Sequence, residues 1–350
     1  MQLSHDVKPR YFSLLLLACC STLLAAEAQP GDAPQLLSVK KIWDAAPHNA
    51  FTDLARFNGQ WFCTFREGQR HVGGNGSLSV LISTNAEHWE SAALISEEGM
   101  DLRDPKFSLT PDGRLMLTTG GSLYEGKVHT ERQPRVAFSK DGRTWTTPQR
   151  VLDKGDWLWR VTWHKGLAYG IAYNIAGSLR PTNEWTVRLL SSEDGITWRL
   201  VSRLAVPGRP NEATVRFLAN DDCVALVRRE GLAPDPDTDA WIGHSTPPYT
   251  NWNWHPAGMQ IGGPNFLVLP GGAMIASGRL YRPKPDTSKT FVGPMSLEVV
   301  KPDLVLPSGG DCSYPGLVWH EGLLWTSYYS THEGRTSIYL ARIRLPGQKP

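Results

Sequence analysis

Cysteine is scarce in this chain of 350 residues: there are five, and Cys19 and Cys20 fall in an apolar run at the N-terminus. The other three, Cys63, Cys223 and Cys312, have none of the paired spacings of a zinc site or a disulfide framework. Neither device is expected to organise the fold, and the three are read as buried free thiols. An excess of one charge is also missing. With 36 Lys and Arg against 34 Asp and Glu, the net charge of +2 carries no bias toward a polyanion, so nucleic acid is excluded as a partner. No helix-period pattern of useful length and no linker interrupt the sequence. The one long apolar run, Tyr11 to Ala26, follows Lys8 and Arg10 and ends at Ala26-Glu27-Ala28. It is short of the roughly 20 residues of a membrane span and reads as a secretory signal peptide over residues 1–28. The mature chain is then secreted or periplasmic, with a lipid anchor at Cys19 (Leu16-Leu17-Ala18-Cys19) as the alternative.

What the sequence does have is 14 Trp, 33 Gly and 26 Pro, the composition of a turn-rich β domain with aromatic plugs. Two heptapeptides share the spacing S-x-D-G-x-T-W, Ser139 to Trp145 and Ser192 to Trp198. Asp-Gly supplies the positive φ of a tight turn, the hydroxyls bond its backbone, and the Trp plugs a sheet interface. The motif resembles the aspartic box of sialidases and related propellers, and two copies roughly 50 residues apart mark a repeat architecture. Six apolar hairpins can be counted, beginning at Leu54, Phe107, Val161, Val215, Phe266 and Leu317, each followed by an outer pair of strands. The last outer unit, Ser337 to Arg344, is a single strand, and Leu36 to Ile42 is its expected partner. The predicted fold is therefore all-β: one six-bladed propeller over residues 29–350, monomeric, with its ring closed by an N-terminal strand.

In such blades the starts of the inner strands and the ends of the second strands share one mouth. Asn211-Glu212-Ala213-Thr214-Val215-Arg216-Phe217, with Arg228 and Arg229 closing the next strand, and Cys312-Ser313-Tyr314-Pro315-Gly316-Leu317 resemble two blades of the sialidase superfamily. The resemblance implies Tyr314 as nucleophile and Glu212 as its base. Arg66, Arg229 and Arg279 are the arginines expected to grip a substrate carboxylate. Two departures stand out. Phe51-Thr52-Asp53 occupies the place of the family's Arg-Ile-Pro, and the blade-1 loop Arg66-Glu67-Gly68-Gln69-Arg70-His71 lacks the usual acid. Asp53 and Asp104 are the candidate substitutes. Arg103-Asp104-Pro105 also resembles the R-D-P element of five-bladed glycosidases, where Asp53, Asp104 and Glu212 would form a carboxylate trio. His48 and His71 are read as substrate-binding or acid-base residues rather than metal ligands, for want of a regularly spaced carboxylate. The glycine-rich stretch His71-Val72-Gly73-Gly74-Asn75-Gly76 is read as a loop and not a phosphate cradle, and no cofactor is implied.

These readings converge on an exported, sialidase-like glycoside hydrolase acting on an acidic sugar, sialic or uronic. Two alternatives remain: a polysaccharide lyase that abstracts the C5 proton of a uronate with His48, His71, Arg66 and Tyr314, and a glycan-binding propeller without catalysis.

Overall fold

The computed structural model describes residues 1–2 and 33–347, apart from residue 127 and residues 176–184, 232–236 and 283–287. The leader read over residues 1–28, but for its first two residues, and Cys19 lie outside the described residues. Among those described there is no helix, and hence none long and apolar enough to cross a membrane. Among the described residues, twenty-four strands form six four-stranded antiparallel sheets. The innermost strands are His48–Phe57, Asp101–Leu109, Asp156–His164, Pro210–Phe217, Ile261–Val268 and Cys312–His320, and they number blades 1 to 6.

Blade 6 is completed from the other end of the chain. Its strands Cys312–His320, Leu323–Ser330 and Ser337–Arg344 are joined by Gln35–Trp43, in a register that runs from Gln35 opposite Arg344 to Trp43 opposite Ile338. Leu36 and Val39 pack against a buried cluster that includes Ile343, Leu324 and Leu306. The closing strand thus adds apolar burial while covering a sheet edge.

The expected turns are built as the sequence implies. Asp141 Oδ1 accepts from the N–H groups of Arg143 (2.8 Å) and Thr144 (2.7 Å), the Ser139 hydroxyl accepts from Gly142 N–H, and Trp145 Nε1 donates to Gly142 O. Ser192 to Trp198 repeats the pattern bond for bond. A third copy lies in blade 1 under altered spelling. Asn85 takes the aspartate's place, Ala86 sits at φ 60 where the others have glycine, and Trp89 Nε1 donates to Ala86 O.

The feature that builds the mouth is a bulge repeated in every inner strand. Register against the second strand slips between Ala50 and Asp53, Arg103 and Lys106, Leu158 and Val161, Pro210 and Ala213, Gly262 and Asn265, and Ser313 and Gly316. The two residues that oppose a single partner are Phe51-Thr52, Asp104-Pro105, Trp159-Arg160, Asn211-Glu212, Gly263-Pro264 and Tyr314-Pro315, one extra residue in each strand. A bulge re-aims a side chain and bends its strand. Neighbouring blades tie down the carbonyls that it frees: Lys106 Nζ donates to Thr52 O, Thr214 Oγ1 to Pro264 O, and Asn265 Nδ2 to Pro315 O.

Candidate active site

Tyr314 and Glu212 come from bulges in blades 6 and 4, and the phenol donates to Glu212 Oε1 at 2.6 Å. The other carboxylate oxygen accepts from Arg228 Nη1 at 2.9 Å and from Gly263 N–H at 2.8 Å. Arg228 Nη1 also lies 3.0 Å from the Tyr314 hydroxyl, and its Nη2 pairs with Glu230 at 2.7 Å. Burial alone would push the Glu212 carboxyl up, but Arg228 and the Tyr314 hydroxyl outweigh it and hold the pKa below the ordinary value. Tyr314 moves the other way: burial, then the charge of Glu212, raise the phenol well above its usual range. The carboxylate keeps the charge and the phenol keeps the proton. A carboxylate so placed can take the proton as the phenol oxygen forms a new bond.

The Tyr314 ring is held by Phe51 (centroids 5.2 Å), Trp159 (5.6 Å) and the Arg279 guanidinium (5.2 Å). Space for it depends on Gly263. That residue has φ 58, and a Cβ there would lie 2.7 Å from Tyr314 Cγ. Arg279 donates to Tyr329 Oη at 2.9 Å and to Asp311 Oδ1 at 3.2 Å. Asp311 Oδ2 in turn receives both histidines, His48 Nε2 at 3.0 Å and His71 Nδ1 at 2.6 Å. Asp104, at φ 55 in the blade-2 bulge, is buried with Oδ1 unpartnered. Burial pushes its carboxyl up, against the pull of Arg103 and Lys106. Lys106 itself is buried below, 5.1 Å from the Trp159 ring centroid, and burial lowers its ammonium to about 8.

The structure therefore gathers Tyr314, Glu212, Arg279, His48 and His71 around one mouth, and the charges of Glu212 and His71 act on Asp104. It does not gather the other three candidates. Arg66 is fully buried behind the blade-1 loop, where Nε and Nη2 bond Asp101 Oδ1 at 2.8 and 2.6 Å and the remaining N–H groups hold Arg70 O and Gly73 O. Arg229 points to the opposite face of its strand, bonds Pro207 O and Asp237, and lies over Trp241. The guanidinium beside the tyrosine belongs to its neighbour Arg228. Asp53 is spent within the ring: both its oxygens bond Arg160 Nη1, at 2.8 and 2.9 Å, and Oδ2 also accepts Phe107 N–H. The trio of Asp53, Asp104 and Glu212 is thus not a set of three comparable carboxylates. Arg228, Asp311 and Tyr329, to which the sequence reading gave no part, complete the mouth. Strand alternation puts Arg228 and Arg229 on opposite faces, but the strand is buried along nearly its whole length, so the sequence does not mark which face is the mouth.

No family model matches this chain, and no curated protein does. Solved structures do. A Dyadobacter fermentans protein of unknown function superposes with a TM-score of 0.77 at 21% identity, over 91% of this chain and 100% of that one. An α-L-arabinofuranosidase from Fusarium graminearum, bound to an iminosugar inhibitor, gives 0.68 at 15% identity over 88% and 98%. The chain shares their propeller fold. Trypanosoma rangeli sialidase bound to the inhibitor DANA gives 0.63 at 14% identity over 85% of this chain and 55% of that one, so this chain spans about half of that enzyme's length.

Proposed function

We propose that the chain is a retaining glycoside hydrolase that acts on a sugar carrying a carboxylate at its anomeric carbon. The observation that carries the reading is the 2.6 Å bond from the Tyr314 hydroxyl to Glu212. A substrate carboxylate on the reacting carbon repels an ionised nucleophile, and a neutral phenol beside a base avoids that repulsion. In the first step Tyr314 Oη forms the bond to the anomeric carbon, Glu212 takes the phenolic proton, and the glycosidic oxygen leaves with a proton from Asp104. In the second, water gives a proton to Asp104 as its oxygen bonds the anomeric carbon, and the departing tyrosine recovers its proton from Glu212. Arg228 and Arg279 flank the phenol and would orient the substrate carboxylate by charge-assisted bonds. The likeness in fold to a sialidase and an arabinofuranosidase supports glycoside chemistry at a coarse level only, because fold alone does not fix function.

The test is a mechanism-based fluorinated sialoside, followed by peptide mass mapping. The adduct is expected on Tyr314. Tyr314→Phe should lose turnover by about 100-fold or more while still binding a substrate analogue, because only the reacting hydroxyl is gone. A product with an unsaturated, ultraviolet-absorbing ring would assign the site to a lyase instead, and a fully active Tyr314→Phe would overturn the mechanism.

A further inference from the structure

Beside the phenol lies a second cluster that the hydrolytic steps do not use. His48 Nε2, His71 Nδ1 and an oxygen of Asp311 lie within 4.8 Å of one another. They come from the inner strand of blade 1, the loop after its second strand, and the approach to the inner strand of blade 6. Both ring nitrogens are aimed at the same atom, Asp311 Oδ2, and the two rings meet edge to face at a centroid distance of 5.6 Å. We propose that His48, His71 and Asp311 form a site for a divalent transition ion of the zinc class, with one coordination position left open.

Four features support it. The donor set, two imidazoles and one carboxylate, suits a borderline ion and disfavours calcium or magnesium, which take oxygen ligands. The spacing is close to what is needed: ligand bonds of about 2.0 to 2.1 Å in a tetrahedron put neighbouring donor atoms about 3.3 Å apart. The 3.0 and 2.6 Å contacts to Oδ2 therefore have to open by about 0.3 and 0.7 Å, and the two ring nitrogens, within 4.8 Å of each other, have to take a similar spacing about the ion. The carboxylate is also supported from behind, since Oδ1 accepts from Tyr329 Oη at 2.8 Å and from Arg279 at 3.2 Å, the outer hydrogen bonding that orients ligating carboxylates.

The fourth feature is the way His71 is held. Its side chain is half exposed, so burial does not fix it. Its loop is fixed instead by the buried Arg66 and Asp101 pair: Arg66 donates to Arg70 O and Gly73 O, and Asp101 accepts from Gly73 N–H and Gly76 N–H. A solvent-facing imidazole on an anchored loop is preorganised for a ligand and leaves the fourth position open to water or to a substrate oxygen.

The experiment is a titration of the chelator-treated full chain with Zn²⁺ by calorimetry, paralleled by Co²⁺ absorption spectra. One ion per chain is expected, with ligand-field bands of four- or five-coordinate cobalt. His71→Ala lies on an exposed side chain and should keep the fold while weakening binding about 100-fold or more. Asp311→Asn should weaken it as well, and His88→Ala, a surface histidine on another turn, should leave it unchanged. No saturable binding, an octahedral aqua-type cobalt spectrum, or equal affinity in His71→Ala would overturn the assignment. Each of these outcomes is independent of whether Tyr314 carries the glycosyl group.

Discussion

At the scale of single residues, the site is made by side chains in backbone conformations that few residues adopt. Phe51, Asp104 and Tyr314 have φ of 64, 55 and 52, and none is a glycine. Such conformations cost about 1 to 3 kcal/mol each and persist where the surroundings fix them. Gly263 is the complementary case, because its missing side chain leaves room for the Tyr314 ring. Gly263→Ala should displace that ring and lengthen the bond to Glu212, so that turnover falls by at least about tenfold. Kinetics together with a crystal structure would check this, and unchanged kcat would show that the ring tolerates the shift. Asp104 gives a pH prediction. Its carboxyl is raised by burial and by Glu212, and lowered by Arg103, Lys106 and His71. A general acid must hold its proton, so activity should persist below the raised pKa and fall as pH rises through it. Asp104→Asn should remove that alkaline limb and harm substrates with poor leaving groups most. An unaltered profile of kcat/KM against pH would assign the acid elsewhere.

Elements show why part of the site was legible and part was not. Tyr314 and Glu212 could be read because each opens an inner strand beside a recognisable run. Arg228 and Arg229 could not be told apart by pattern. In a propeller both faces of a blade are covered, and the strand Cys223–Arg229 is buried along nearly its whole length, so apolar alternation does not mark which face looks inward. The bulges leave no trace in composition, since an inserted residue changes neither hydrophobicity nor turn content. The blade-1 turn was hidden for another reason: hydrogen-bond geometry tolerates Asn for Asp and Ala at positive φ, whereas a motif search does not. Arg66 was misplaced because a fully buried arginine with a carboxylate partner has the same sequence signature as one awaiting a ligand. Its actual work gives a prediction. Arg66→Met leaves Asp101 buried without its cation and should cost about 3 to 5 kcal/mol, measured by denaturant unfolding. A loss under about 1 kcal/mol would mean that the loop is held by other contacts.

For the whole molecule, six blades, their order and the closing strand were readable from repeats and from one unpaired terminal strand. Removing residues 33–43 should uncover the edge of Ser337–Arg344 together with apolar neighbours such as Ile343 and Leu345. The shortened chain is expected to melt at lower temperature and to associate, as light scattering on a sizing column would register, and a stable monomer would show that the closure is dispensable. The same pairing has a consequence for how the protein comes into being. Gln35–Trp43 is the first of the described strands and Ser337–Arg344 the last, yet they are hydrogen-bonded neighbours. All the intervening strands must leave the ribosome before this seam can form, so five blades are able to assemble while Gln35–Trp43 waits without a partner. Such a contact has the greatest loop-closure cost in the molecule and belongs late in folding. A circular permutant that links the two termini and opens the chain at the exposed turn of residues 111–114 would turn the seam into an ordinary local hairpin, and the slowest step of assembly would move to another pair of blades.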